Sequence, residues 1–244
     1  MIRELASSRE WSYSDAYLLS IVIPCYNEAG NIPELVRRIS TIDKDDIEFV
    51  IVENGSTDDS RIVLEKLAAE YPFIKTVFVK ENKGYGYGIK EGLSVCSGDY
   101  IGWTHADLQT DISDVVKARE VVKGTSCKNV FVKGERKGRI ISEKIFSVGM
   151  QILASLKLNK RFNDINAQPT VFSRELLPKD MGQLPNDFSL DLYIYNKALH
   201  QGFQVERFKV DFGKRLHGSS SWGSSLRGRI RMIKRTAEYI IHLK

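Results

Sequence analysis

The 244-residue chain has little cysteine and no long run of apolar residues. Its three cysteines lie far apart without a Cys-x-x-Cys spacing, so the sequence suggests neither a disulfide framework nor a zinc site. No stretch approaches the roughly 20 apolar residues that a membrane-spanning helix needs. Residues 1–17 lack the apolar segment of a signal peptide, and we expect a polar arm there. These absences predict a protein of a reducing, cytoplasmic compartment.

The positive charge is concentrated near the C-terminus. The net charge is +5, and residues 205–244 hold ten Lys or Arg against three acids. The rest of the chain holds 26 against 28 and is nearly neutral. The apolar share of 42% is ordinary for a globular protein, and the length fits one large domain. The basic end therefore needs a local explanation.

Apolar runs typical of buried strands alternate with helical patterns along the first two thirds of the chain. This alternation predicts βαβ units and a mostly parallel, Rossmann-like sheet flanked by helices, with ligands at the carboxyl ends of the strands. The predicted strands are 18–24, 47–53, 75–80 and 99–103, followed less regularly by 169–173 and 203–210. Helices are predicted at 141–157 and 189–201, among others.

Polar or glycine-rich segments follow the first three strands. Residues 24–28 read Pro-Cys-Tyr-Asn-Glu, and residues 53–58 read Glu-Asn-Gly-Ser-Thr-Asp. Polar side chains there suit a nucleotide base, although simple turns would look the same. Residues 82–88, Asn-Lys-Gly-Tyr-Gly-Tyr-Gly, open a helix whose free N–H groups favour phosphate or ribose. This glycine segment is neither a dinucleotide-binding fingerprint nor a Walker loop.

The fourth strand leads into Thr-His-Ala-Asp-Leu-Gln at residues 104–109. In an extended segment His105, Asp107 and Gln109 would project to one side. A carboxylate with such neighbours can hold a divalent ion whose shell diphosphate oxygens complete. The alternative is a surface turn. The pattern favours a metal–diphosphate site.

Taken in order, these motifs resemble those of the family 2 glycosyltransferases, which have the GT-A fold. The counterparts of the family's P-x-Y-N-E, D-D-G-S-x-D, N-x-G-x-G and D-x-D-x-Q are the segments above. Residues 133–136, 163–165 and 215–220 are similar to its G-S-R, D-x-x-S-G-F and R-x-x-G-x-S segments. In layout the chain is similar to the polyprenyl-phosphate sugar synthases. The resemblance spans about 19–222, and we expect the catalytic domain at 18–222.

The resemblance implies a nucleotide diphosphate sugar donor and Mg²⁺ or Mn²⁺. The implied donor-binding residues are Pro24, Tyr26, Glu28, Asn54, Gly84, His105 and Asp107. The implied metal ligands are Asp107 and Gln109, and His217 is either a third ligand or a surface histidine. The chain departs from the family pattern at His105, which replaces an aspartate and which we expect to contact ribose. It departs again at Asn54, which replaces an acid and leaves the base open.

For the acceptor, the resemblance implies inverting transfer to a lipid-linked saccharide or a polyprenyl phosphate in cell-surface glycan synthesis. A hydroxyl acceptor needs a general base, for which Asp191 is the first candidate and Asp187 the second. Asp187 would otherwise be a charge at a helix N-terminus. A phosphate acceptor needs no base, and Arg136, Arg139 and Arg215 would then pair with phosphates unless they are solvated surface arginines.

Residues 223–244 form a predicted basic helix. One face carries five apolar side chains, Leu226, Ile230, Ile233, Ala237 and Ile240. Such a helix is typical of peripheral contact with a membrane's inner face, but packing on the domain or in a dimer would give the same pattern. Nucleic acid is not expected, since no recognition motif accompanies the charge. The oligomeric state stays open.

Two rival functions remain. A nucleotide-sugar-binding module without catalysis would explain His105 as decay of the metal segment. A nucleotidyltransferase shares the architecture but normally carries a basic, glycine-rich loop after the first strand, where this chain has Cys-Tyr-Asn-Glu-Ala-Gly-Asn at residues 25–31.

Overall fold

A computed structural model describes residues 17–137, 141–213, 215 and 234–241. The seven strands of its sheet are β1 (Leu19–Cys25), β2 (Ile47–Asn54), β3 (Ile74–Val79), β4 (Tyr100–Trp103), β5 (Val130–Lys137), β6 (Thr170–Ser173) and β7 (Gln204–Asp211). The α-helices that connect them are α1 (Ile32–Thr41), α2 (Ser60–Glu70), α3 (Tyr85–Leu93), α4 (Asp114–Gly124), α5 (Ile141–Leu158) and α6 (Ser189–His200).

The strands lie in the order β3-β2-β1-β4-β6-β5-β7. Strand β6 runs antiparallel to β4 and β5, and the other pairs are parallel. The chain crosses from β1 toward β2 and β3 on one side and returns to β4 on the other. This reversal opens a crevice beyond the carboxyl ends of β1 and β4. The predicted mostly parallel α/β sheet is confirmed.

The core lies on both faces of the sheet because the central strands β1 and β2 are mostly apolar and are buried at nearly every position. In β1, Ile21 packs against one layer of helices and Val22 against the other. Helix α1 buries Ile32, Leu35, Val36 and Ile39, the spacing of a single helical face. Continuous burial of this kind is typical of parallel strands covered by helices.

The sequence did not predict β5 as a strand. Lys133 and Gly134 interrupt its apolar run, and a lysine is rarely buried. Nevertheless β5 pairs with both β6 and β7, and Lys133 is fully buried. Tertiary pairing therefore overrides the local pattern at this strand.

Residues 234–241 are helical and pack on the domain. Ile240 is fully buried in the core cluster that contains α6, whereas Lys234 and Arg235 are exposed. For these residues the structure favours packing on the domain, one of the alternatives for the basic tail. The rest of 223–244, the boundary at 222 and residues 1–16 lie outside the described residues. None of the helices in the described ranges has the length and apolar character needed to cross a bilayer.

Candidate functional site

The predicted donor segments meet at the carboxyl ends of β1, β2 and β4. Strand register places Cys25 beside Glu53 and Trp103 beside Val22. The loops that follow these strands are also tied together, since the Asn27 N–H donates to Ser56 Oγ at 3.0 Å. The Asn27 amide oxygen in turn accepts from the Thr57 N–H at 2.9 Å. Sequence-distant motifs thus form one edge, with Pro24 half-buried in β1 and Tyr26 exposed at its rim.

Arg215 bridges two carboxylates at this edge. Its Nη2 lies 2.8 Å from Asp107 Oδ2, and its Nη1 lies 3.3 Å from Glu28 Oε1. Burial raises the pKa of Glu28, while Asn31 and Arg215 oppose that rise. Asp107 is itself only 6% exposed. The structure therefore places Arg215, predicted as an acceptor-side residue, against two carboxylates that were predicted as donor-binding.

The segment after β4 is turned rather than extended, so the expected one-sided alternation of His105, Asp107 and Gln109 is wrong. Leu108 has a φ of 58°, and Asp107 Oδ1 accepts a hydrogen bond from the Gln109 N–H at 3.2 Å. An aspartate that bonds its own backbone two residues on stabilises a tight turn instead of a strand. The Gln109 side-chain amide donates to Gly213 O at 3.0 Å, which ties this turn to the segment after β7.

The metal ligands available within the described residues are few. Those residues contain no group of three or more His, Cys, Asp or Glu side chains able to hold an ion. His217 lies outside them. Asp107 supplies a buried carboxylate and Gln109 an amide oxygen, a donor set that suits a hard cation sharing its shell with phosphate oxygens. The residues present therefore fit a metal brought together with a diphosphate.

His105 lies in an aromatic environment. Its ring centroid is 5.7 Å from that of Tyr85, which stacks on Phe188 at 4.5 Å. Burial lowers the pKa of His105, although Asp107 and Asp191 oppose the shift. A neutral imidazole results, in which one ring nitrogen can donate a hydrogen bond and the other can accept one.

The glycine-rich segment is held by Asn54. The Asn54 Nδ2 donates to Gly84 O at 3.1 Å, and its Oδ1 has no hydrogen-bond partner in the described part of the chain. Gly84 has a φ of 121°, and a Cβ there would lie 2.3 Å from Asn186 O. Only glycine fits this conformation and this close approach. Asn54 therefore supports the loop, and its contact with a base stays a prediction.

Asp191 is enclosed. It is 1% exposed, and its Oδ1 accepts from Trp103 Nε1 at 3.3 Å and Gln168 Nε2 at 3.0 Å. Burial raises its pKa, and the nearby Lys133 ammonium is the largest opposing influence. Such enclosure holds the carboxylate in place and restricts its access to an acceptor.

Lys133 is the main site residue that sequence reasoning missed. Its Nζ lies 3.7 Å from Asp191 Oδ1 and donates to Ala167 O at 2.9 Å and Thr170 Oγ1 at 2.7 Å. Burial lowers the pKa of its amine to about 8. The available signal was a lone lysine within the apolar run Val-Phe-Val-Lys-Gly of residues 130–134.

The remaining acceptor-side candidates have structural partners. Asp187 Oδ1 accepts from the Ser189 N–H at 2.9 Å, and its Oδ2 lies 3.5 Å from Arg235 Nη2. These contacts match the alternative of a charge at the start of α6. Arg136 is paired with the buried Asp164 at 2.5 Å. Arg139 lies outside the described residues, and the catalytic and phosphate-binding roles of this group stay predictions.

Comparison with known families gives one match that covers more than half of the chain. The model of "Glycosyl transferase family 2" matches residues 20–164. An undecaprenyl-phosphate 4-deoxy-4-formamido-L-arabinose transferase of Pseudomonas syringae pv. syringae is 38% identical over 215 residues, which cover 84% of this chain and 60% of that protein. Its namesake in Pseudomonas fluorescens is 37% identical over 114 residues, 44% of this chain and 33% of that protein. The chain thus spans a third to three fifths of the length of these relatives.

Solved structures share the fold. The mannosyltransferase PcManGT of Pyrobaculum calidifontis, in complex with GDP-Man and Mn²⁺, superposes with a TM-score of 0.63 at 19% identity, covering 93% of this chain and 70% of that chain. Glucosyl-3-phosphoglycerate synthase of Mycobacterium tuberculosis, in complex with Mn²⁺, UDP and glucosyl-3-phosphoglycerate, superposes with a TM-score of 0.65 at 17% identity, covering 97% of this chain and 84% of that chain. At these identities the likeness establishes the architecture alone.

Proposed function

Because this chain belongs to glycosyl transferase family 2, we propose that it transfers a sugar from a nucleoside diphosphate sugar to a polyprenyl phosphate, with a divalent metal at Asp107. The relatives named above are undecaprenyl-phosphate sugar transferases, and two neighbours in fold were solved with Mn²⁺ and a nucleotide or nucleotide sugar. Those names supply the substrate class. The residues of this chain supply the reasons why it suits the site.

The observation that carries the proposal is the pairing of Asp107 and Glu28 with Arg215 at the crevice beyond β1 and β4. Two carboxylates and one guanidinium here provide the opposite charges that a metal–diphosphate complex needs. The carboxylate attracts a cation, while the guanidinium is a fork suited to phosphate oxygens. The glycine segment does not contribute to this proposal, because the Gly84 N–H already donates to Asn82 Oδ1 at 2.9 Å and the Tyr87 N–H to Asn186 O at 3.1 Å.

A bound divalent ion would neutralise charge on the departing nucleoside diphosphate. Asp107 would hold the ion, with Gln109 as a further oxygen donor. His105 is half-buried, and because desolvation lowers its pKa it would orient the donor ribose or sugar as a neutral imidazole. Tyr85 would exclude water beside His105, since its ring centroid lies 5.7 Å from that of His105 and its ring is held by stacking on Phe188.

The enclosure of Asp191 favours a phosphate acceptor over a hydroxyl. A general base must reach the proton that it removes, within hydrogen-bond distance of the acceptor. Asp191 is instead 1% exposed, and its Oδ1 accepts hydrogen bonds from Trp103 and Gln168 and lies 3.7 Å from Lys133 Nζ. A polyprenyl phosphate is already anionic and needs no base.

Contact with a lipid surface is supported by α5. Four of its large apolar side chains are exposed at near-helical spacing: Val148, Ile152, Leu153 and Leu156. Burying such a stripe in a membrane interface removes it from water at a gain of roughly 25 cal/mol per Å². We therefore propose that α5, rather than residues 234–241, faces the membrane that carries the acceptor.

The function is tested by nucleoside diphosphate release with undecaprenyl phosphate in detergent micelles. A panel of UDP-, GDP-, CDP- and TDP-sugars is assayed with Mn²⁺ or Mg²⁺. We expect release from one donor class, dependent on both the metal and the lipid phosphate. Asp107→Asn should reduce release by about 100-fold or more, as expected for a lost metal or charge contact, whereas the exposed Asp45→Asn should not. Release that is equal with and without metal, or unaffected by Asp107→Asn, would contradict the proposal.

A further inference from the structure

Both oxygens of the Asp107 carboxylate already have partners. Its Oδ1 accepts from the Gln109 N–H at 3.2 Å, and its Oδ2 pairs with Arg215 Nη2 at 2.8 Å. The same guanidinium reaches Glu28 Oε1 at 3.3 Å. A metal cation that binds Asp107 therefore has to compete with the Arg215 guanidinium already paired with this carboxylate.

We propose that Arg215 is the counter-cation of Asp107 in the metal-free protein and competes with the divalent ion. The metal then binds tightly only when a diphosphate is present to accept the guanidinium. This inference rests on the proposed function, since it concerns the same carboxylate. It adds a role for Arg215 in setting metal affinity and in coupling the metal to the nucleotide.

Electrostatics decide the direction of the effect. Like charges a few ångströms apart repel, and near a protein surface this repulsion is far larger than in bulk water. Asp107 is 6% exposed, so salt screens its pair with Arg215 only in part. A metal ion beside Asp107 must displace the guanidinium or accept its repulsion. Either route weakens binding of the metal alone.

A diphosphate removes this penalty. Its oxygens offer the guanidinium a bidentate partner, which allows Arg215 to leave Asp107 without losing its ion pair. Metal and nucleotide then bind with positive coupling. By linkage each strengthens the other by the same factor. Glu28 is half-buried and pairs with the same guanidinium. It would hold the Arg215 side chain near the site while the guanidinium moves from Asp107 to the diphosphate.

Titration with Mn²⁺ tests the competition, with free Mn²⁺ followed by electron paramagnetic resonance. Wild type, Arg215→Met, Arg215→Lys and the control Arg37→Met are each titrated alone and with UDP or GDP. Arg37 is an exposed arginine that pairs with Glu34 on α1. We expect Arg215→Met to bind Mn²⁺ alone about tenfold tighter than wild type, as removal of one repelling charge implies. Arg215→Lys should gain less, because the positive charge remains.

The factor by which a nucleotide tightens Mn²⁺ binding should fall in Arg215→Met, although the affinity for Mn²⁺ alone rises. In wild type UDP or GDP should tighten Mn²⁺ binding strongly, whereas in Arg215→Met that enhancement should shrink. If Arg215 were merely structural, its replacement would lower the affinity for Mn²⁺ both without and with the nucleotide. Mn²⁺ affinity in Arg215→Met that equals or falls below that of wild type overturns the inference, and circular dichroism checks that the variant is folded. Should it unfold, Arg215→Lys decides alone, and no gain in Mn²⁺ affinity over wild type then overturns the inference.

Asp107→Asn separates this inference from the proposed function. If wild type with UDP or GDP binds no Mn²⁺ that depends on Asp107, the metal site itself is wrong and the proposed function fails. If that binding depends on Asp107 but Arg215→Met leaves the affinity for Mn²⁺ alone unchanged, only the competition fails.

Discussion

The amine of Lys133 lies 3.7 Å from the carboxylate of Asp191, and both side chains are almost wholly removed from solvent. Taking two charges out of water is costly, and each is tolerated because the other is near. The pair joins β5 to α6 beneath the crevice that holds His105 and Asp107. Its integrity therefore affects both the fold and the floor of the site.

Breaking this pair from one side should be strongly destabilising. Lys133→Met leaves Asp191 without its cation, and we expect a loss of about 3–5 kcal/mol in the free energy of unfolding. The double variant Lys133→Met/Asp191→Asn removes both charges and should lose less than the sum of the single changes. Urea unfolding measures Lys133→Met, Asp191→Asn and the double variant, with the exposed Arg61→Met as control. Additive losses would contradict a direct interaction.

Lys133 should also give stability a distinctive dependence on pH. Burial lowers its pKa from 10.5 to about 8. Between these values the folded protein has released the lysine proton while the unfolded chain still binds it, so this group makes stability rise with pH. The difference in free energy of unfolding, wild type minus Lys133→Met, should therefore increase from about pH 8 to pH 10.5. A difference that stays flat or falls over this range contradicts the assignment.

Replacing a glycine by alanine should have opposite effects on stability in α3 and in α5. A Cβ on Gly92 in α3 would lie 2.4 Å from Val22 Cγ1 and 2.8 Å from Val52 Cγ2. Gly92→Ala should overpack this contact and cost about 1–3 kcal/mol. Around Gly149 in α5 a Cβ meets no described atom within 4 Å, and Gly149→Ala should stabilise by up to about 1 kcal/mol. Chemical unfolding of both variants checks the packing of α3 on the sheet.

The helix at 234–241 offers a matched pair of neighbours. Ile240 is fully buried, whereas Ile241 is 56% exposed. Ile240→Ala should cost about 2–5 kcal/mol, because it leaves a cavity in the core beside α6. Ile241→Ala should change little. Equal effects of the two variants on the melting temperature would mean that this helix does not pack on the domain through Ile240.

The sequence indicated the elements whose pattern is local. Strands such as β1 were recognisable as continuous apolar runs, and α1 by four apolar residues at helical spacing. Strand β5 was not predicted because Lys133 and Gly134 interrupt its apolar run. Only pairing with β6 and β7 explains their burial. The turn at Leu108 was not predicted either, since its positive φ accompanies the hydrogen bond from the Gln109 N–H to Asp107 Oδ1.

The site was predictable as a set of strand ends but not as a set of contacts. Parallel strands bring their carboxyl ends together, so the approach of Glu28 to Asp107 followed from the alternation of elements. The pairing of Arg215 with Glu28 joins residues 187 positions apart. No local pattern encodes such a contact. The same holds for Lys133 and Asp191, whose partnership appears only once β5 and α6 are packed.

The most direct test of the central claim is the position of Mn²⁺ in crystals grown with a nucleoside diphosphate, located by anomalous scattering. We predict a single strong peak within about 2.5 Å of an Asp107 carboxylate oxygen. The diphosphate should complete the metal's shell, with Arg215 turned toward the phosphates. A diphosphate bound away from Asp107, or a metal held elsewhere in the crevice, would contradict the account.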